Sequence, residues 1–363
     1  MAPPVTALGA CVLGCTVGVA ALLATACSYP RSPLLGVDRP PLASYPSATA
    51  LPSSARIVVI GDVQRTSFLE HTVLGRELND REQILLLRDV QQQAFGGVVL
   101  LGDMAFDGSD EAWAHFDALM QPLRKPALDS GRPTETERLF FPVMGNHDYS
   151  QGSGAQIRWR FSSFEAATHY AFDWGNVRMI VVDGNRDQLC EPIPRHAVPP
   201  GCEPEWQAQL TWLRAELAVV DESSTERGAI LFVHQSPYTQ SPWVAGDQAD
   251  ARAFAGALLD SRRGLALISA HAHGFERYHF VRYAGDPRPA KDFVVSAGGG
   301  GPRPETRREC AVKDDSALPW PRPFNYLLLE QTASAVEMRV RGVDKRVCCV
   351  EELEPEHRTF QFR

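Results

Sequence analysis

Six side chains of this 363-residue chain have the types and spacing to hold metal ions: Asp62, Asp103, Asn146, His234, His271 and His273. Two carboxylates, one amide and three imidazoles form a mixed oxygen and nitrogen donor set. Such a set suits borderline divalent or trivalent ions, namely Mn, Fe or Zn. No cysteine joins it, which excludes a structural tetrathiolate site. A carboxylate shared between two ions would hold them ~3.5–4 Å apart, the spacing of two-metal hydrolytic centres.

The elements that must position these residues are short apolar runs. Arg56-Ile57-Val58-Val59-Ile60 leads into Gly61-Asp62-Val63-Gln64, and Gly97 to Leu101 leads into Gly102-Asp103. Leu139 to Met144 leads into Gly145-Asn146-His147-Asp148, Ala229 to Val233 into His234, and Leu265 to Ala270 into His271-Ala272-His273. β-branched and aromatic runs ended by turn signals read as buried strands. Helical spacing is predicted around Arg81 to Phe95, with Ile84, Leu85, Arg88 and Gln91 setting apolar and polar faces, and over Trp206 to Val220, through Leu210, Leu213 and Leu217.

Strands alternating with helices predict α/β layering, with ligands outside the carboxyl ends of the strands. All five motifs then open onto one rim. A single aspartate after a strand is often a helix cap and a single histidine a core residue; five such residues on one edge point to a site. His271 and His273, two apart on a segment read as extended, would face opposite sides and serve different ions.

In order and spacing these motifs resemble the calcineurin-like metallophosphoesterase superfamily, over Arg56 to about Val343. Gly102-Asp103-Met104-Ala105-Phe106, His271-Ala272-His273-Gly274-Phe275-Glu276-Arg277 and His169 to Val177 with Asp183 resemble its purple acid phosphatase branch. The resemblance implies a four-layer αββα sandwich of two mixed β-sheets flanked by helices. It implies that Asp62 and His273 hold one ion, that Asn146, His234 and His271 hold the second, and that Asp103 bridges them. Three positions depart from the pattern. Gln64 stands where the first motif has His and would ligate weakly or through water; Phe106 stands where the branch has a metal-binding Tyr, so no tyrosinate charge-transfer band is expected; Ala270 replaces Gly.

The chemistry implied is in-line attack on a phosphate ester by a metal-bound hydroxide, with His147 protonating the leaving alkoxide. Asp148 or Asp107 would orient that imidazole. Arg65 would reach a substrate phosphate or form a surface ion pair. The glycines that end Ser296 to Gly301 would approach the phosphate or make a tight turn. A small phosphomonoester is the favoured substrate. A phosphodiesterase or nucleotidase shares the metal core, and a surface lipoprotein that has lost turnover but binds a ligand is the reading outside enzymes. The segments Phe106 to Thr134 and Asp187 to Glu205 would build the substrate pocket.

Composition frames the rest. Apolar residues make up 44% and charged residues 22%, an ordinary globular balance. Lys+Arg 36 against Asp+Glu 44 leaves a net charge of −8, which argues against a nucleic-acid scaffold. Residues 1–26 carry no charged side chain, and their apolar core ends at Ala24-Thr25-Ala26-Cys27. This resembles a bacterial lipoprotein signal, with lipid carried on Cys27 and a periplasmic or outer-membrane-anchored location. A second box ends at Cys15, and an ordinary cleaved signal or an uncleaved anchor helix would equally mean export. Residues 27–54 are rich in proline and read as an extended tether, 55–345 as the metallophosphoesterase domain and 346–363 as a polar tail. The strand-like runs Tyr326 to Leu329 and Val336 to Val340 would finish one sheet. Five cysteines follow Cys27; Cys190 and Cys202 form the natural local disulfide, and Cys310 could close on Cys348 or Cys349.

Overall fold

Ile57, Val58, Val59 and Ile60 are all buried, but alternate residues join different cores. Ile57 and Val59 pack with Phe141, Phe172, Met179 and Ile230, whereas Val58 and Ile60 pack with Leu86, Leu87, Trp113 and Phe116. A strand apolar on both faces must be covered on both faces, and the period of two assigns alternate side chains to each layer. The inner core lies between two sheets, where the Phe141 and Phe172 rings stack 3.8 Å apart.

The computed structural model describes residues 50–76, 78–124, 138–161, 164, 167–186, 203–239, 241, 244, 248–280, 290–302, 324–343 and 355–362. In chain order the elements are β1 (Ala50–Leu51), β2 (Ile57–Ile60), α1 (Phe68–Thr72), α2 (Asp80–Gln91), β3 (Gly97–Leu100), α3 (Asp110–Arg124) and β4 (Leu139–Pro142). There follow a 3-10 turn (His147–Gly152), α4 (Ser153–Arg160), β5 (Tyr170–Trp174), β6 (Val177–Val181), α5 (Glu203–Glu222), β7 (Gly228–Phe232), α6 (Gln248–Asp260) and β8 (Gly264–Ser269). The chain continues through β9 (Phe275–Phe280), β10 (Lys291–Ser296), β11 (Phe324–Gln331), β12 (Val336–Val343) and β13 (Pro355–Phe362).

One sheet has six strands in the order β13-β12-β11-β2-β3-β4, and the other has seven in the order β1-β5-β6-β7-β8-β10-β9. Both are mixed. β2, β3 and β4 run parallel, as do β6, β7, β8 and β10, while β11, β12 and β13 pair antiparallel with their neighbours. Helices α2 and α3 cover the outer face of the first sheet through Leu86, Leu87, Val90, Trp113, Phe116 and Met120. Helices α5 and α6 cover the second through Leu210, Leu213, Leu217, Phe254 and Leu258. The architecture is therefore the four-layer αββα sandwich that the sequence resemblance implies.

Several details differ from the sequence reading. Pro355–Phe362, within the segment read as a polar tail, is a strand paired with β12 along its whole length. Its Phe362 reaches the inner core, and Phe360 packs against the same core. In α2 the buried face is Glu82, Gln83, Leu86, Leu87 and Val90, whereas Ile84 is 44% exposed. Gln83 occupies the buried face with its Nε2 donating to the Val63 carbonyl beside Asp62. The signal segment, Cys27, most of the tether, the cysteines 190, 202, 310, 348 and 349, and much of both pocket segments lie outside the described residues. Among the described residues no helix is long and apolar enough to cross a membrane.

Candidate metal centre

β2, β3, β4, β7 and β8 each end two to four residues before the first candidate ligand of one of the five motifs, so both sheets deliver polar residues to a common rim. Backbone hydrogen bonds tie the ends together: Asp62 N–H donates to Gly102 O at 3.2 Å and Gln64 N–H to Asp103 O at 3.0 Å. Ala270 N–H donates to His234 O at 2.9 Å across the other sheet. The approach is closest at glycine. A Cβ on Gly102, whose φ is +83°, would lie 2.6 Å from both Gly145 N and His234 Nδ1. A Cβ on Gly145 would fall far inside contact distance of Asp103.

Asp62, Asp103, His271 and His273 have φ of 54°, 51°, 69° and 51°, the positive-φ non-glycine residues among those described. Left-handed backbone costs an L-residue roughly 1–2 kcal/mol, and it concentrates at functional sites. Here it corrects one expectation. His271 and His273 do not lie on an extended segment; both sit in a bend, and Ala272 N–H donates to Ala270 O at 2.8 Å around His271.

The bend still separates them into different groups. Donor atoms of Asp103, His234 and His271 lie within 4.8 Å of one another, and so do those of Asp62, Asp103 and His273. Asp103 belongs to both. Asn146 joins the first group, its Oδ1 lying 3.1 Å from His234 Nε2. Gln64 joins the second, its Nε2 lying 3.3 Å from Asp103 Oδ2.

Two of the imidazoles are oriented from behind. His234 Nδ1 donates to Leu101 O at 2.6 Å, and His273 Nδ1 is held by Pro302 O. Each Nε2 is thereby turned toward a carboxylate: His234 to Asp103 Oδ2 at 3.4 Å, His273 to Asp62 Oδ1 at 3.3 Å. A carbonyl on one ring nitrogen fixes the tautomer and frees the other as a ligand. Asp62 Oδ2 accepts the His271 backbone N–H at 2.9 Å. Asp62 Oδ1 and Gln64 Oε1 are buried oxygens without a hydrogen bond. Burial opposes ionisation of Asp103, but His234 and His147 outweigh it and hold the carboxyl well below the usual range.

His147 sits half-buried at the rim. Its backbone N–H donates to Asp103 Oδ1 at 2.9 Å, and its Nδ1 is 2.8 Å from Phe106 O. The ring also lies 5.1 Å from the Phe106 ring. Neither Asp148 nor Asp107 orients this imidazole, contrary to the sequence reading. Asp107 Oδ1 accepts Ser109 N–H and O–H. Asp148 accepts backbone N–H groups of Asp103, Met104 and Gly145. Arg65 makes two hydrogen bonds to Asp80, at 2.9 and 2.7 Å, so the ion-pair alternative describes it.

The glycine run is a backing wall. Gly299 N–H donates to Gly61 O and Gly301 N–H to Asp62 O, at 2.8 and 2.7 Å. A Cβ on Gly301 would lie 3.3 Å from both Asp62 Cβ and His273 Cε1. Two residues that the sequence reading passed over hold this wall. Asn79 occupies the cap position of α2 but spends its Nδ2 on Gly301 O at 2.9 Å, and Gln83 Nε2 donates to Val63 O at 2.6 Å. A polar residue on the apolar face of α2 was the signal for Gln83.

The profile of the Calcineurin-like phosphoesterase family matches residues 55–275. No curated protein sequence matches the chain. Among solved structures, a dimetal phosphatase from Danio rerio aligns over 85% of this chain and 99% of its own, at 18% identity and a TM-score of 0.56. GAP50, the anchor in the inner membrane complex of Plasmodium, aligns over 85% and 89%, at 14% identity and a TM-score of 0.52. Purple acid phosphatase PPD1 from yellow lupin (Lupinus luteus) seeds aligns over 80% of this chain and 52% of its own, at 14% identity and a TM-score of 0.49. At such identities the first two likenesses bear on the fold.

Proposed function

The chain belongs to the calcineurin-like phosphoesterase family, and on that premise we propose that it hydrolyses phosphate esters at a two-metal centre, with monoesters the favoured substrates. The observation that carries this reading is Asp103, one buried carboxylate common to two donor groups. The orphaned oxygens of Asp62 and Gln64 fit the same reading. A buried acceptor without a donor costs about 1–3 kcal/mol, which a bound cation would offset.

One ion would lie among Asp103, Asn146, His234 and His271, the other among Asp62, Gln64, Asp103 and His273. The second set has three oxygens to one nitrogen and suits Mn or ferric iron; the first, with two of each, suits Zn or ferrous iron. When bound, the pair would activate a water and neutralise charge on the phosphoryl group. The dianionic phosphate of a monoester puts the most charge where that neutralisation is strongest.

His147 supplies the proton. With Nδ1 committed to the Phe106 carbonyl, Nε2 is the nitrogen left to exchange a proton with the leaving alkoxide. The backbone N–H to Asp103 holds the ring beside the shared carboxylate. Export and a lipid on Cys27 belong to the same proposal and rest on residues 1–27.

The test is hydrolysis of p-nitrophenyl phosphate and bis(p-nitrophenyl) phosphate by the purified full chain supplied with Mn, Fe or Zn. Metal-dependent turnover of the monoester above the diester is expected. A protein that takes up none of these metals and cleaves neither substrate would sink the reading.

A further inference from the structure

We propose that Asn185 is a positioning residue for the Asn146, His234 and His271 half of the centre, clamping together the two loops that carry Asn146 and His234. The proposal rests on the two-metal reading above and concerns a residue two positions beyond the strand-end Asp183.

Asn185 is buried and uses both ends of its amide. Its Nδ2 donates to Met144 O at 3.0 Å and to Asp183 Oδ1 at 2.8 Å, and its Oδ1 accepts Gln235 Nε2 at 2.6 Å. Met144 lies two residues before Asn146 on the loop after β4, in the six-stranded sheet. Gln235 directly follows His234 after β7, in the seven-stranded sheet. One side chain therefore joins the two sheets behind the ligands at the point where His234 Nε2 and Asn146 Oδ1 are 3.1 Å apart. The task needs a donor and an acceptor on one short, rigid group. Aspartate has no donor for Met144 O and would set a second buried carboxylate against Asp183.

The clamp is itself anchored. Asp183 takes the Asn185 backbone N–H at 2.9 Å and the Tyr149 hydroxyl, and Gln209 binds its backbone N–H and carbonyl at 2.7 and 3.0 Å. Gly184 leaves room for Gln235, since a Cβ there would collide with Gln235 Oε1. The Asp62 and His273 half has other supports, namely Asn79, Gln83 and the Pro302 carbonyl. Groups that orient metal ligands are commonly worth 10–100-fold in metal affinity, and separate supports make the effect selective.

The experiment is calorimetric titration of Mn2+ into the metal-free full chain, with no activity readout. The wild-type protein takes up two ions. Asn185→Leu keeps one at wild-type affinity and binds the other roughly 10–100-fold more weakly. Gln235→Leu, which cuts the other end of the clamp and serves should Asn185→Leu not fold, does the same. The double variant is no weaker than the worse single variant, because both break one connection. Adding His273→Ala to Asn185→Leu abolishes the remaining tight site, which assigns the weakened ion to the His234 half. A wild-type chain that takes up no pair of ions overturns the metal reading and the clamp with it. A wild-type chain that binds two, with variants that bind both as tightly or lose both equally, overturns the clamp alone.

Discussion

Asp148 Oδ2 accepts the backbone N–H of Asp103 at 3.0 Å, so the third strand-end motif fixes the backbone of the second. The same oxygen takes Gly145 N–H at 2.8 Å, and Oδ1 takes Met104 N–H at 2.9 Å. The shared carboxylate of Asp103 is thus presented by a loop whose amides converge on a buried neighbour. Asp148→Asn turns one acceptor into a donor facing backbone N–H groups. The expected loss is about 1–3 kcal/mol of stability, read as a lowered urea midpoint. A midpoint equal to wild type would show that water or a shifted loop replaces the carboxylate.

His147→Ala should reduce turnover of an aryl phosphate by about 10²–10⁴-fold while metal content stays at the wild-type value. Its ring makes no part of either donor group. Steady-state kinetics beside elemental analysis separates the two effects; unchanged turnover removes His147 from the acid role.

Asp103→Asn should lose both metal and rate, because one oxygen set serves both donor groups. Elemental analysis of the dialysed variant is expected to give fewer than two ions per chain. Retention of both would contradict the bridging role.

Gly102→Ala should be severe despite adding one methyl. Its φ of +83° and the 2.6 Å approach to Gly145 N and His234 Nδ1 add strain to collision. Together these cost about 2–5 kcal/mol, seen as a large fall in thermal midpoint. A neutral result would mean that the two loops are free to separate.

In the metal-free protein, burial works against a charged His234, but Asp103 outweighs it and pushes the imidazole up to about 10. The folded state then holds the proton more tightly than the unfolded chain. The stability this pair contributes is fully present below the ordinary value of 6.5 and is lost as pH rises through about 10. Urea midpoints of chelator-treated protein should fall across that window. A flat profile would show that the ring is neutral without metal.

The polar residues at the strand ends were legible in sequence because a buried parallel strand is a short apolar run, and whatever must meet at the rim stands directly after it. Asp62, Asp103, Asn146, His234, His271 and His273 were found that way, and α/β layering followed from the alternation of strands and helices, while the four-layer order came with the family resemblance. Edge strand β13 was missed because a segment paired on one side, with Phe362 near its end as the core contact, carries little periodic signal. Only the tertiary structure decided which residues stand behind the ligands. Asn79, Gln83 and Asn185 reach backbone groups up to 222 positions away, as between Asn79 and Gly301, and Gln235 reaches the side chain of Asn185. Spacing along a chain reports which way a side chain faces its own element; it holds no record of the carbonyl that another element will bring to meet it.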